Sequence, residues 1–256
     1  MIKRIAAVAA AVMIPLSLFG LDGTEIARRA HDIEDGDTSH SAVQMDLIES
    51  DGEVKSRLIE EWGRDEGDLT SMVMVFRSPA SVKDTRYLQI ENENRDDDKW
   101  IYLPALKRVR RIASSEGDKS FMGSDATYDD METREVERDH HELLREERFE
   151  KWDCHVVKAW AKDPEDSQYS YRITWFDTAS FVPVKVEMYD KQETLLKVLS
   201  VEVLEQVQGY WTPLQTLMEN VQTGHATRLT FKKIVYDEPL PDALFSTSFL
   251  ETGRVR

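Results

Sequence analysis

The chain has 256 residues, 41% of them hydrophobic and 32% charged, enough apolar material for one sizeable core or two small ones and too much for intrinsic disorder. An excess of 49 Asp and Glu over 33 Lys and Arg gives a formal charge of −16, the wrong sign for a protein that wraps nucleic acid. With Cys154 as its one cysteine, it has neither an internal disulfide nor a cysteine-rich metal site, so the fold stands on packing.

Lys3 and Arg4 precede an apolar stretch from Ile5 to Phe19, interrupted by Pro15 and Ser17, which is the pattern of a secretory signal peptide. The run falls short of the roughly 20 residues a membrane-spanning helix needs, and Asp22, Glu25, Arg28 and Arg29 follow at once. Residues 1–20 are therefore read as a cleaved signal, with an uncleaved N-terminal anchor as the alternative and export implied by both, and residues 21–256 as a single domain. No cysteine stands near Gly20 to carry a lipid, so the expectation is an exported, soluble periplasmic chain and not a lipoprotein.

Thr24 is placed to cap a helix that runs through Ile26, Ala27, Ala30 and Ile33 until Asp35-Gly36-Asp37 ends it. Val43, Met45 and Leu47 then alternate with polar residues, and Ser50-Asp51-Gly52 turns the chain into Val54 to Trp62 as a hairpin. Leu69 to Phe76 is a continuous apolar run, as in a strand covered on both faces. Thr85 to Glu91 and Trp100 to Leu103 are further strands, separated by the acidic, solvated turn Arg95 to Lys99. Ser114 to Asp130, rich in Gly, Ser and Asp, reads as a long irregular excursion with a short helix around Tyr128 to Met131.

Strands then return in close series: Glu142 to Phe149, Cys154 to Ala161, Tyr169 to Phe176, Val184 to Asp190, Leu195 to Gln208, Trp211 to Val221 and Arg228 to Tyr236. Tyr171, Ile173 and Trp175 alternate with Arg172 and Thr174, and Val184, Val186 and Met188 with Lys185 and Glu187, so one apolar sheet face is expected to hold both sets. The fold class that follows is mainly β: a curved antiparallel meander closing toward a barrel or half-barrel, with few helices and no linker.

Motifs for catalysis are sparse. His140-His141-Glu142 is the one local metal-like cluster, but strand neighbours point to opposite faces. The chain contains no zinc-protease spacing, phosphate loop, nucleophile elbow or dinucleotide turn, and Cys154 opens an apolar strand as a buried thiol would. An enzyme is disfavoured, and no metal or cofactor is expected. What stands out is Trp100-Ile101-Tyr102-Leu103-Pro104-Ala105-Leu106 followed by the cations Lys107, Arg108, Arg110 and Arg111. Those four fit either a solvated strand face or a docking patch for a lipid phosphate or an acidic partner. Phe121 and Met122 are candidates for a lid over an apolar cavity. Cavity candidates are Met72, Met74, Trp100, Tyr102, Tyr171, Ile173, Trp175, Val186, Met188 and Phe231, residue types that adapt to flexible acyl chains but also build plain cores.

The order Trp-x-Tyr-Leu-Pro-Ala-Leu-Lys-Arg-Val-Arg-Arg, Phe-Met-Gly-Ser-Asp and Tyr-Asp-Asp resembles the LolA-like outer-membrane lipoprotein-sorting family. Pro183 to Asp190, Gly209-Tyr210-Trp211-Thr212-Pro213, Met218-Glu219-Asn220 and Pro241-Asp242-Ala243-Leu244-Phe245 extend the resemblance over residues 40–250. It implies an unclosed antiparallel barrel, lidded by helices, that binds acyl chains of lipids or lipoproteins in the periplasm, often beside a transporter of the resistance-nodulation-division (RND) type. The expected role is a soluble acyl-chain carrier; the rival is an accessory subunit of an export complex whose sheet is simply filled.

Overall fold

A computed structural model describes residues 21–67, 69–93 and 95–255; the expected signal segment lies outside the described residues. A helix, α1 (Gly23–His31), opens the described chain and another, α2 (Thr247–Thr252), closes it. The first run of strands is β1 (Thr38–Ile48), β2 (Val54–Glu66), β3 (Leu69–Ser78), β4 (Arg86–Ile90), β5 (Asp98–Leu103) and β6 (Arg108–Ile112). The second is β7 (Asp139–Phe149), β8 (Trp152–Ala161), β9 (Tyr171–Asp177), β10 (Pro183–Tyr189), β11 (Leu195–Val207), β12 (Tyr210–Asn220) and β13 (His225–Tyr236).

All pair antiparallel in one 13-stranded sheet, ordered β6-β5-β4-β3-β2-β1-β13-β12-β11-β10-β9-β8-β7. Short polar turns make each run a meander, as at Gly52, whose φ of +90° suits a residue without a Cβ. The β1–β13 pair joins the two runs. One consequence concerns β6 and β7: although consecutive in sequence, they form the two free edges, so the segment between them, residues 113–138, must travel from one edge to the other.

That journey shows how far the sheet curls. Tyr128 packs on Tyr87 of β4, at a ring separation of 6.0 Å, while Asp130 accepts a hydrogen bond from Lys197 of β11, at 2.8 Å. In a flat sheet β4 and β11 would stand six ladder spacings apart, about 29 Å. Two residues of one segment cannot span that distance, so the sheet wraps around the crossing segment as an unclosed barrel.

The inner face therefore carries the crossing segment, and α1 as well. Gly23 lies so close to β7 that a Cβ there would sit 2.8 Å from the Leu143 backbone nitrogen. Helix α1 is capped by Asp22, whose carboxylate accepts the Glu25 N–H at 2.8 Å, two residues before the expected Thr24. On β3 the expectation of two covered faces holds: Phe76 packs inward among Tyr87, Ile101, Phe121 and Tyr128. Val73 and Val75 point outward beneath Leu244, Phe245, Phe249 and Leu250 of the C-terminal segment that includes α2.

Candidate functional site

Cross-strand partners in an antiparallel ladder share a face, so the inner surface can be followed from strand to strand. From β1 it passes through Leu229 and Phe231 of β13, Thr216 and Met218 of β12, Leu199 of β11 and Val186 of β10. Each of these is partly accessible. To one side Val157 is sealed on the inner face of β8, where α1 packs; to the other Val43 and Met45 are sealed within the packed layer beneath the crossing segment. The arrangement is a concave apolar stripe left open between two covers.

Polar anchors fix the crossing segment along this stripe. Arg57 donates to the Met122 carbonyl at 2.5 Å. Asp125 accepts from the Thr227 hydroxyl at 2.7 Å and contacts His225 Nδ1 at 2.7 Å. Asp130 binds Lys197 and, at 2.7 Å, the Tyr169 hydroxyl, with the Lys197 and Asp130 side chains 6% and 7% exposed. Burial, with Asp130 adding to it, pushes the Tyr169 phenol far above its ordinary range, so it stays a hydrogen-bond donor. Beyond Glu132, which binds Lys99 of β5, Asp139 opens β7 between Arg134 and Arg172. Burial opposes the Asp139 charge, and the two guanidinium groups outweigh it, holding the carboxyl below its usual range.

Of the residues expected to line a cavity, Met72, Met74, Val186, Met188 and Phe231 lie on the inner face. Five do not. Tyr171, Ile173 and Trp175 pair with Tyr189, Glu187 and Lys185, whereas Val186 and Met188 pair with Thr174 and Arg172, so the two sets occupy opposite faces. Trp100 and Tyr102 face outward too, in the cluster around α2. Both faces of these strands are apolar, and alternation separates faces without saying which is inside. On β9 the outer aromatic residues are covered by cations: Lys185 lies 4.2 Å and Arg145 5.8 Å from the Trp175 ring centroid, and Lys158 lies 4.1 Å from that of Tyr171.

The basic run is also divided. Arg110 makes two hydrogen bonds to Glu116, at 2.7 and 2.8 Å, and Arg111 pairs with Asp98 on the outer face at 2.5 Å. Lys107 and Arg108 are left exposed at the β5–β6 hairpin tip beside Leu106, itself 55% exposed. Phe121 and Met122, the expected lid residues, sit in the crossing segment; Phe121 is buried in the core and not poised over an empty space.

His140 and His141 diverge as strand neighbours should, His140 packing at a tilt against Trp160 with 5.4 Å between ring centroids. Cys154 is buried, and burial raises its thiol to about 11. Among the described residues no group of three or more His, Cys, Asp and Glu side chains is placed to hold a metal. Sequence reasoning missed Glu61 and Ser41, which face each other on the inner side of β2 and β1. The signal was present: two consecutive glutamates, Glu60 and Glu61, on one strand oblige one of them to point inward.

Comparison with known proteins adds the relatives. A family model described as an uncharacterised protein matches residues 68–252. A crystal structure described as an outer membrane lipoprotein-sorting protein domain from Vibrio parahaemolyticus is 32% identical, over 90% of this chain and 98% of that one, with a TM-score of 0.83. A DUF1329 family protein from Desulfovibrio piger is 30% identical, over 89% and 97%, with a TM-score of 0.85. A LolA superfamily protein from Nitrosomonas europaea, 18% identical over 90% and 100%, has a TM-score of 0.70 and shares the fold. No curated protein matches the chain.

Proposed function

We infer that this chain, which belongs to the LolA-like family of outer-membrane lipoprotein-sorting proteins and to its DUF1329 members, is a carrier that holds acyl chains of lipids or lipoproteins. The observation that carries the reading is the stripe Val186, Leu199, Met218, Leu229 and Phe231, apolar, concave and partly accessible between the face that α1 covers and the sealed layer beneath the crossing segment, against which Leu229 and Phe231 pack. Burying an acyl chain yields about 0.8 kcal/mol per CH₂, so roughly fifteen carbons supply about 12 kcal/mol before ordering costs, ample for carriage with no covalent step.

The compartment follows from the same reading: with residues 1–20 acting as an export signal, the carrier works in the periplasm. Its exposed hairpin tip, with Leu106, Lys107 and Arg108, is the surface we assign to docking, on an inner-membrane transporter of the RND type that the family resemblance suggests. The filled inner face of β3 to β6 favours a second reading, an accessory subunit of an export complex that carries nothing. Native mass spectrometry with lipid extraction, on protein purified from the cell envelope, separates the two. A carrier shows co-purifying species of lipid mass, released by organic solvent; an apparent mass equal to the bare chain in every preparation supports the accessory subunit.

A further inference from the structure

Glu61 on the inner face of β2 stands opposite Ser41 of β1 and Met74 of β3. Its side chain is partly accessible on this inner wall. Neither a cation nor a hydrogen bond offsets its desolvation. Beside it Ser41, 3% exposed, has a hydroxyl with no hydrogen-bond partner. A buried hydroxyl left unsatisfied, beside a carboxylate with no partner from the chain, on a wall otherwise made of Val43, Ile59 and Met74, calls for a partner from outside the chain.

The position fits the end of the groove. Ser41 pairs with Ile234 of β13, and two residues along β1 Val43 pairs with Phe231, where the open apolar stripe ends. The Tyr236 phenol of β13 feels the charges of both Glu61 and Asp35, and Asp35 feels that of Asp65, so the groups coupled to this point are acidic. Arg57, two places along the same face of β2, is engaged by the Met122 carbonyl. We propose that Glu61 and Ser41 form the head-group end of the groove, and that the amphiphile it takes carries a primary ammonium. An ammonium supplies the charge that Glu61 lacks and donors for the Glu61 carboxylate and the Ser41 oxygen. The inference rests on the acyl-carrier reading.

Burial raises the Glu61 carboxyl to about 7, so the carboxylate, and with it the preference for a cation, is present above that pH and lost below it. Calorimetric titration of the full mature chain with dodecylamine, dodecanol and dodecanoate tests this. At a pH of about 8 the amine should bind at least about tenfold more tightly than the alcohol, and the advantage should vanish near pH 5.5 and in Glu61→Gln. Dodecanol affinity should be the same throughout. The pH series on the wild type decides the matter even where the variant folds poorly. An alcohol that binds as well as the amine at high pH removes the ammonium site and leaves the groove; failure of all three ligands to bind removes both.

Discussion

On the inner face of β3 to β6, Phe121 and Tyr128 lie against Phe76, Tyr87 and Ile101 and exclude solvent; across β10 to β13 the same face leaves Val186, Leu199, Met218 and Leu229 partly accessible. The residue types are alike. The difference is the cover, since the crossing segment inserts aromatic rings into the first region and meets the second through polar latches, Asp125 to Thr227 and Asp130 to Lys197. Apolar patterning alone therefore does not mark a binding surface in this fold. The apolar face stays partly accessible where the chain's own cover touches the sheet through hydrogen bonds and not through packed rings.

Removing a ring from the sealed region should have the largest effect. Phe121→Ala is expected to cost about 3–5 kcal/mol, because the ring packs within 5.1 Å of Tyr87 and 5.7 Å of Tyr128 and its loss leaves a cavity. Chemical denaturation measures it; a loss below about 1 kcal/mol would mean that the crossing segment rests loosely on this half. Cutting the latch in the open region should cost nearly as much. Lys197→Ala strands Asp130 in a buried site, at about 3 kcal/mol, and the same titration reads the loss.

Glu61→Gln should move stability the other way. Its carboxyl titrates near 7 in the fold against 4.5 for the ordinary group, so the native state holds its proton where the unfolded chain has released it, and the fold weakens as pH rises between those values. Gln abolishes the penalty: a gain on the order of 2 kcal/mol is expected above about pH 7.5, and none below about pH 4.5. Asp35 and Asp65, also raised by burial, keep their share of the pH dependence in the variant. Thermal melts across that range check it, and the absence of any gain above about pH 7.5 would place Glu61 in solvent. The smallest effect belongs to the hairpin tip: changing Lys107 and Arg108 together to Gln should leave stability within about 0.5 kcal/mol. If the tip docks, binding to anionic liposomes or to the transporter weakens, and wild-type binding fades with added salt.

Strand periods carried most of the fold. The Asp-Gly turn, the two-sided apolar run of β3 and the dense series after Glu142 each contain their own local physics, and the excursion from Ser114 was legible as a segment poor in aliphatics. The identity of the inner face was not. Trp175 looks like a core residue in sequence, and only the register with β10 shows that Lys185 covers it on the outside. Helix α2 escaped notice as six residues capped by Ser246, a signal too short to stand out, yet its Phe249 and Leu250 decide that Trp100 and Tyr102 face outward. The basic run suggested one patch, while alternation on β6 sends Arg110 inward to Glu116 and Arg111 outward to Asp98.

Photoaffinity mapping with an acyl chain bearing a diazirine at its far end tests the central claim most directly. Adducts should fall on Val186, Leu199, Met218, Leu229 or Phe231, and Leu199→Glu should abolish them while Ile173→Glu on the outer face leaves them intact. Adducts concentrated on Tyr171, Ile173 or Trp100, or none in a protein that melts as a single unit, would contradict it.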